Sequence, residues 1–241
     1  SPGVDLVIAA LVSLMFLASA SLWSTAPESI PVHWNLQGDV DRYGGKFEGL
    51  MLLPLIAVGI SLLLRFIPAM DPKKENFAQF GKVYSIIRVA VTLLMAVIHV
   101  AILGTVLGFT IDMGLAVSLG VGSLLIVLGN FMGKIRPNWF VGVRTPWTLS
   151  SKKSWVKTHR MSGWLFILMG LAVVATGLTQ SKYALGIMLA LVLGGSLWAV
   201  IYSWLVWRGD TERVSALESR PDNSDSGNGA TSGNDHSSKI A

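Results

Sequence analysis

The chain contains no cysteine, so neither a disulfide framework nor a thiolate zinc site organises it. Charge is scarce as well. Asp, Glu, Lys and Arg make up 14% of the 241 residues, where a soluble domain carries about 25%. Acidic residues are the scarcest: between Glu75 and Asp210 the only one is Asp112. A water-soluble fold of that length would wear a largely apolar skin, which excludes the class. With 52% apolar residues and nine prolines, the disordered and collagen-like classes are excluded too. What remains is a protein whose solvent is largely lipid.

Long apolar runs fill the chain instead. A helix across about 30 Å of hydrocarbon needs about 20 residues at ~1.5 Å each. Six runs come near that length, at residues 4–23, 50–66, 85–107, 113–131, 163–179 and 184–206. Each is apolar around its whole circumference, as a helix surrounded by lipid and other helices must be. None alternates as the strands of a membrane barrel do. The fold class read from this pattern is all-α, a polytopic membrane protein with six transmembrane helices.

Lys and Arg orient such a bundle. If alternate loops share a side, sixteen of these residues fall on the side that holds both chain ends, and three, Arg42, Lys46 and Lys182, on the other. The expected topology has the N- and C-termini cytoplasmic. Residues 25–48 and the tight turns near Asp112 and Lys182 then lie outside. The sequence pI near 9.6 follows from basic loops drawn to anionic head groups and calls for no nucleic acid.

Two stretches, Ala18-Ser19-Ala20 and Ser24-Thr25-Ala26, have the small-residue spacing of a signal-peptidase site. A cleaved signal begins with a basic region, and nothing before Trp23 is basic, so a retained first helix is expected. At the other end, residues 215–238 hold almost no large apolar side chain and have nothing to bury against the entropy of ordering. The organisation read from the chain is a helical hairpin over 1–67 with the external loop 25–48, a four-helix membrane domain over 83–207, and a disordered cytoplasmic tail over 210–241.

Inside the spans, small residues recur at helical spacing. Gly104 and Gly108, Gly129 and Gly133, and Ala190 and Gly194 are four apart, while Gly163, Gly170 and Gly177 recur every seven. In lipid such stripes let helix backbones approach closely, within one bundle or across a homo-oligomer; the intramolecular seam is the expectation. His99 is the single ionisable residue at mid-span, expected to be structural, bonded to a neighbouring helix. Asp5, Asp112 and Arg88 sit near span ends, within reach of the interface. With no acidic residue at mid-depth, ion pumps and coupled transporters lose support.

Two loops carry the remaining signal. The external one runs from Ile30 through Pro31, His33, Asn35, Gly38 and Asp41 to Lys46. Residues 32–36 have the composition of a short strand and Gln37-Gly38-Asp39 that of a turn. His33, Asn35, Asp39 and Asp41 are the cation-ligating types present, but one His without Cys falls short of a zinc spacing. No metal and no cofactor is therefore expected, and a folded cap at head-group level is. The other loop, residues 129–160, holds seven cations and no acid. Pro137 and Pro146 exclude a continuous helix across it. Ser150 or Ser151 can cap a new helix running through Trp155 and His159 into the fifth span. On that helix Lys153, Lys157 and Arg160 fall near one face with Trp155 nearby, the pattern of an interfacial segment.

The stretch G-N-F-M-G-K-I-R-P-N-W-F-V-G-V-R-T-P-W-T-L-S over residues 129–150, followed by W-x-x-T-H-R ending at Arg160, closely resembles the signature of SdpI-type bacterial immunity proteins. The external I-P-x-H-x-N-x-x-G-x-x-D, from Ile30 to Asp41, resembles the short N-terminal domain of unknown function that accompanies it. The resemblance covers about residues 25–207. It implies a multi-pass protein of the bacterial cell (inner) membrane, not an enzyme, that protects the producing cell from a secreted toxic peptide. It also implies a receptor role, holding a repressor at the membrane. By motif position, the inner residues it singles out are Arg136, Pro137, Asn138, Gly142, Arg144, Thr145, Pro146, Trp147 and His159. The outer ones are Pro31, His33, Asn35, Gly38 and Asp41. The sequence departs from the pattern after T-L-S, where Lys152 and Lys153 stand in place of acids. The residues themselves offer no nucleophile–base pair or phosphate loop; a small transporter or an unrelated signalling protein is the alternative reading. The partners expected are the bilayer, a peptide outside and a regulator inside.

Overall fold

A computed structural model describes residues 2–211; the tail anticipated at the C-terminus lies almost wholly outside the described residues. Six helices are long and apolar enough to cross a membrane. They are α1 (Pro2–Leu22), α2 (Leu52–Met70), α3 (Lys74–Val106), α4 (Met113–Met132), α6 (Lys152–Leu178) and α7 (Ala184–Arg208), with a short α5 (Pro146–Ser150) between α4 and α6. A π-helical turn, Phe47–Met51, leads into α2. The spans read from the sequence are all present, and the protein is a multi-pass helical membrane protein.

Two helices outrun their apolar runs. α3 begins eleven residues before its run, at Lys74, and α6 begins at Lys152. Hydropathy marks where lipid is, whereas a helix continues as long as its backbone bonds and caps allow. At 33 residues, α3 measures about 50 Å, so it stands well clear of the hydrocarbon. Non-helical φ/ψ angles at Phe80 kink this overhang. Phe77, Phe80 and Tyr84 then pack edge to face and tilted with one another, over Ile135 and Trp155. Ser151 caps α6, its hydroxyl accepting from the Ser154 amide at 2.9 Å.

The closest seam is between α4 and α6. A Cβ on Gly129 would lie 2.6 Å from the Gly163 carbonyl oxygen, and one on Gly170 would lie 2.6 Å from that of Gly122. Gly177 meets Ser118 in the same way. The seven-residue glycine stripe of α6 is thus an intramolecular contact, as expected. Of the pairs four apart, Gly129 shares that seam and Gly104 meets Ile111, whereas their partners do not pack. Gly133 and Gly194 face open space, Gly108 (φ 86°) turns the chain out of α3, and the α7 glycine that meets a neighbour is Gly195, against Met169.

Polar side chains tie the first three helices together. His99 bonds through Nε2 to Ser19 Oγ at 3.0 Å and the Met15 carbonyl at 3.3 Å, a structural arrangement as anticipated. Arg88 is enclosed by its neighbouring helices. It is buried and donates to Asp5 at 2.7 Å, while Arg65 approaches the other Asp5 oxygen at 3.3 Å. A buried guanidinium without a partner would be costly, and the Asp5 carboxylate compensates it.

Candidate functional site

One end of the bundle carries a two-stranded antiparallel hairpin, β1 (Ile30–Trp34) and β2 (Val40–Gly44). Only the first strand and the turn were legible in the sequence. Ile30 is fully buried and sits where Gly49 has no side chain, which fastens the ribbon to the start of α2. The turn is held by Asn35, whose side-chain oxygen accepts from the Gln37 and Asp39 amides, each at 2.9 Å. Gly38 supplies the positive φ, 88°, that the turn requires. Pro31 lies opposite Tyr43, tolerated because a ribbon edge leaves its missing N–H facing no partner. His33 and Asp41 pair across the strands, Nδ1 to Oδ1 at 2.6 Å, with side chains 61% and 41% exposed. The cation set considered above therefore does not converge: Asn35 is spent on the turn, and His33 faces Asp41 alone.

At the opposite end, residues 133–151 form a compact knot rather than a loose loop. Asn138 is fully buried with its amide fully used. Its nitrogen donates to the carbonyls of Arg136 (2.8 Å) and Val141 (3.0 Å), and its oxygen accepts from the amides of Phe140 and Val141. Thr145 caps α5 through a capping box with Thr148, Pro146 takes the first helical position, and the Thr145 hydroxyl reaches Ser203 of α7 at 2.9 Å. Gly142 (φ 103°) lies against the His159 ring. His159 is buried in a defined tautomer: Nδ1–H donates to the Trp155 carbonyl at 2.9 Å and Nε2 accepts from the Val143 amide at 3.2 Å. Its ring stacks on Trp155 at 4.0 Å between centroids.

Trp155 corrects one expectation. It is 1% exposed and donates from its indole to the Ile135 carbonyl, so it belongs to the core beneath the knot and not to a head-group belt. The half-exposed indole is that of Trp139. The cations divide in the same way. Lys134, Arg136, Arg144, Lys152, Lys157 and Arg160 are exposed, whereas Lys153 approaches buried Asp210 at 3.8 Å. Arg144 donates to the Trp139 carbonyl at 2.7 Å. The result is a rigid cationic surface with an aromatic on it.

Several residues that hold this surface were not singled out from the sequence. Buried Asp71, between α2 and α3, accepts from the Lys73 amide and, across 68 positions, from the Trp139 amide at 2.8 Å. Asn76 donates to the Pro137 carbonyl. Ser151 donates to Asp210 at 2.5 Å and Ser154 to the Ser203 carbonyl. The Asp71-Pro72 dipeptide signals a local turn, but no local pattern carries its distant partner.

The model of the SdpI/YfhL protein family matches residues 134–206, which take in the knot, α6 and nearly all of α7. A domain of unknown function (DUF1648) matches residues 10–58, the hairpin with the later part of α1 and the first turns of α2. The chain is 26% identical over 183 residues to the protein named Immunity protein SdpI of Bacillus subtilis (strain 168), covering 76% of this chain and 86% of that one. No solved structure matches the chain. The resemblance read from the two loop motifs thus reappears over most of the length.

Proposed function

We propose that this SdpI-like membrane protein protects the bacterium that makes it from a secreted, membrane-damaging peptide, with the hairpin outside and the basic knot in the cytoplasm. The observation that carries the reading is the similarity to a protein named for immunity over 183 residues, beside family-model matches over residues 10–58 and 134–206. The hairpin supplies a contact surface at the outer face. Its His33–Asp41 pair is solvent-exposed, and such a pair contributes only about 0–1 kcal/mol to folding, so its side chains are available to a ligand.

The knot supports a second role, recruitment of an acidic-surfaced regulator to the inner face. A preformed surface pays little ordering cost on binding, and a half-exposed Trp among arginines is the composition of an interaction anchor. Lys152 adds positive charge where related signatures are acidic, so the partner's surface is expected to be correspondingly more acidic.

Survival of cells challenged with the cognate peptide tests the first role. His33→Ala and Asp41→Ala, expressed at the parental level, lose protection; full survival of both overturns an outer-face mechanism. For the second, Arg136→Glu combined with Arg144→Glu releases a co-expressed regulator from the membrane fraction, and unchanged recruitment rejects it.

A further inference from the structure

α2 packs on α1 and α3 but makes no comparable packing against α4, α6 or α7. Two cavities occupy the space this leaves. The one at the hairpin end, about 400 Å³, is lined by Ile56 of α2, Ile98 of α3, Val117 of α4 and Leu185 of α7. The one at the basic end, about 460 Å³, is lined by the same helices through Leu64, Ile87, Leu128 and Ser196. Ile98 and Ile87, Val117 and Leu128, and Leu185 and Ser196 are each eleven residues apart. Eleven residues make three helical turns, about 16 Å of axis. One face of each helix therefore lines both cavities, and they lie along one cleft between α2 and α7.

The two ends of the cleft differ in charge. At the hairpin end Arg42 lines the cavity together with Glu48, and the two neutralise each other at 2.7 Å. At the basic end the lining includes Arg144, and among the described residues no carboxylate lies within 4 Å of it. One of its five N–H donors is spent on the Trp139 carbonyl; the planar fork that remains suits a phosphate. Size decides what the apolar body of the cleft admits. A peptide helix about 10 Å across fills about 1,200 Å³ over ten residues, more than either cavity holds, whereas an acyl chain is slender enough to enter.

We propose that the cleft binds one anionic glycerophospholipid from the leaflet at the basic end, its phosphate on Arg144 and an acyl chain between α2 and α7. This does not rest on the protective role proposed above. Diffuse attraction of a basic surface to anionic lipid acts without shape; this site requires both the guanidinium and the cleft.

The test is native mass spectrometry of the full chain in detergent with equimolar phosphatidylglycerol and phosphatidylcholine carrying the same acyl chains. The unaltered protein retains phosphatidylglycerol at least fivefold over phosphatidylcholine. Arg144→Gln brings that ratio below twofold. Ser196→Phe, which places a ring in the cleft from an exposed position, lowers retention of phosphatidylglycerol at least fivefold at an unchanged melting temperature. Lys73→Gln with Lys74→Gln, which removes charge at the same end outside the cleft, leaves the ratio as it was. Equal retention of the two lipids by the unaltered protein overturns the proposal. So does a preference that survives Arg144→Gln, retention that survives Ser196→Phe, or a preference lost in the lysine pair, which would assign the binding to surface charge alone.

Discussion

The imidazole of His159 occupies the volume that a side chain on Gly142 would need. The same ring takes the Val143 amide and stacks on Trp155, so one side chain fixes two positions of the knot to the core beneath it. Gly142→Ala adds a methyl to that volume and puts a Cβ on a residue at φ 103°. Backbone strain of this kind costs about 1–3 kcal/mol, before the ring is displaced. His159→Ala leaves the Val143 amide without its acceptor, a loss of about 1–3 kcal/mol. Both variants are expected to melt earlier in detergent, with faster proteolysis between Lys134 and Arg144. A Gly142→Ala protein as stable as the parent would show that the ring does not pack there.

The α4–α6 seam makes a contrast between glycines. Gly170→Leu drives a side chain into the Gly122 carbonyl, whereas Gly194→Leu meets nothing within 4 Å. Size-exclusion chromatography after mild detergent extraction should recover Gly194→Leu as the parent is recovered and Gly170→Leu mostly as aggregate. The reverse pattern is what a homo-oligomeric seam at Gly194 would produce.

Asp5 and Arg88 join α1 to α3 inside the bundle. Asp5→Asn leaves the buried guanidinium with a neutral partner. Breaking a fully buried pair from one side costs about 3–5 kcal/mol, and less here because Asp5 is 30% exposed, while replacing both partners by apolar residues is often neutral. Thermal unfolding should therefore rank Asp5→Leu combined with Arg88→Met above Asp5→Asn. A double variant that melts below Asp5→Asn would mean that the pair is not coupled.

Because the chain has no cysteine, single introduced thiols report topology directly. Gln37→Cys, in the hairpin turn, is expected to react with an impermeant maleimide on intact spheroplasts. Lys152→Cys should react only after permeabilisation. Labelling of Lys152→Cys from outside would invert the bundle and remove the outer-face role of His33 and Asp41.

The loop motifs could be read in part because they rest on local chemistry. Gly38 and Asn35 spell a turn, Thr145-Pro146 spells a helix start, and Ser151 spells another; each depends on neighbours within a few residues. Trp155 was misread because an aromatic near lysines looks the same in sequence whether its ring faces head groups or the core. Asp71 escaped notice because its partner, the Trp139 amide, is brought to it only when the α2–α3 connection folds over the knot.

The sequence by itself determined the number of spans, the uneven distribution of basic charge and the loops that carry the signatures. Hydropathy and composition are properties of short windows, and lipid reads them without reference to the rest of the chain. The tertiary structure alone decided which glycines form a seam, that Arg88 is paired inside, that seven cations include one neutralised lysine, and that a cleft separates α2 from α7. Those depend on which helix faces which, and in a bilayer that choice is made by close packing and polar pairing between segments far apart in the chain.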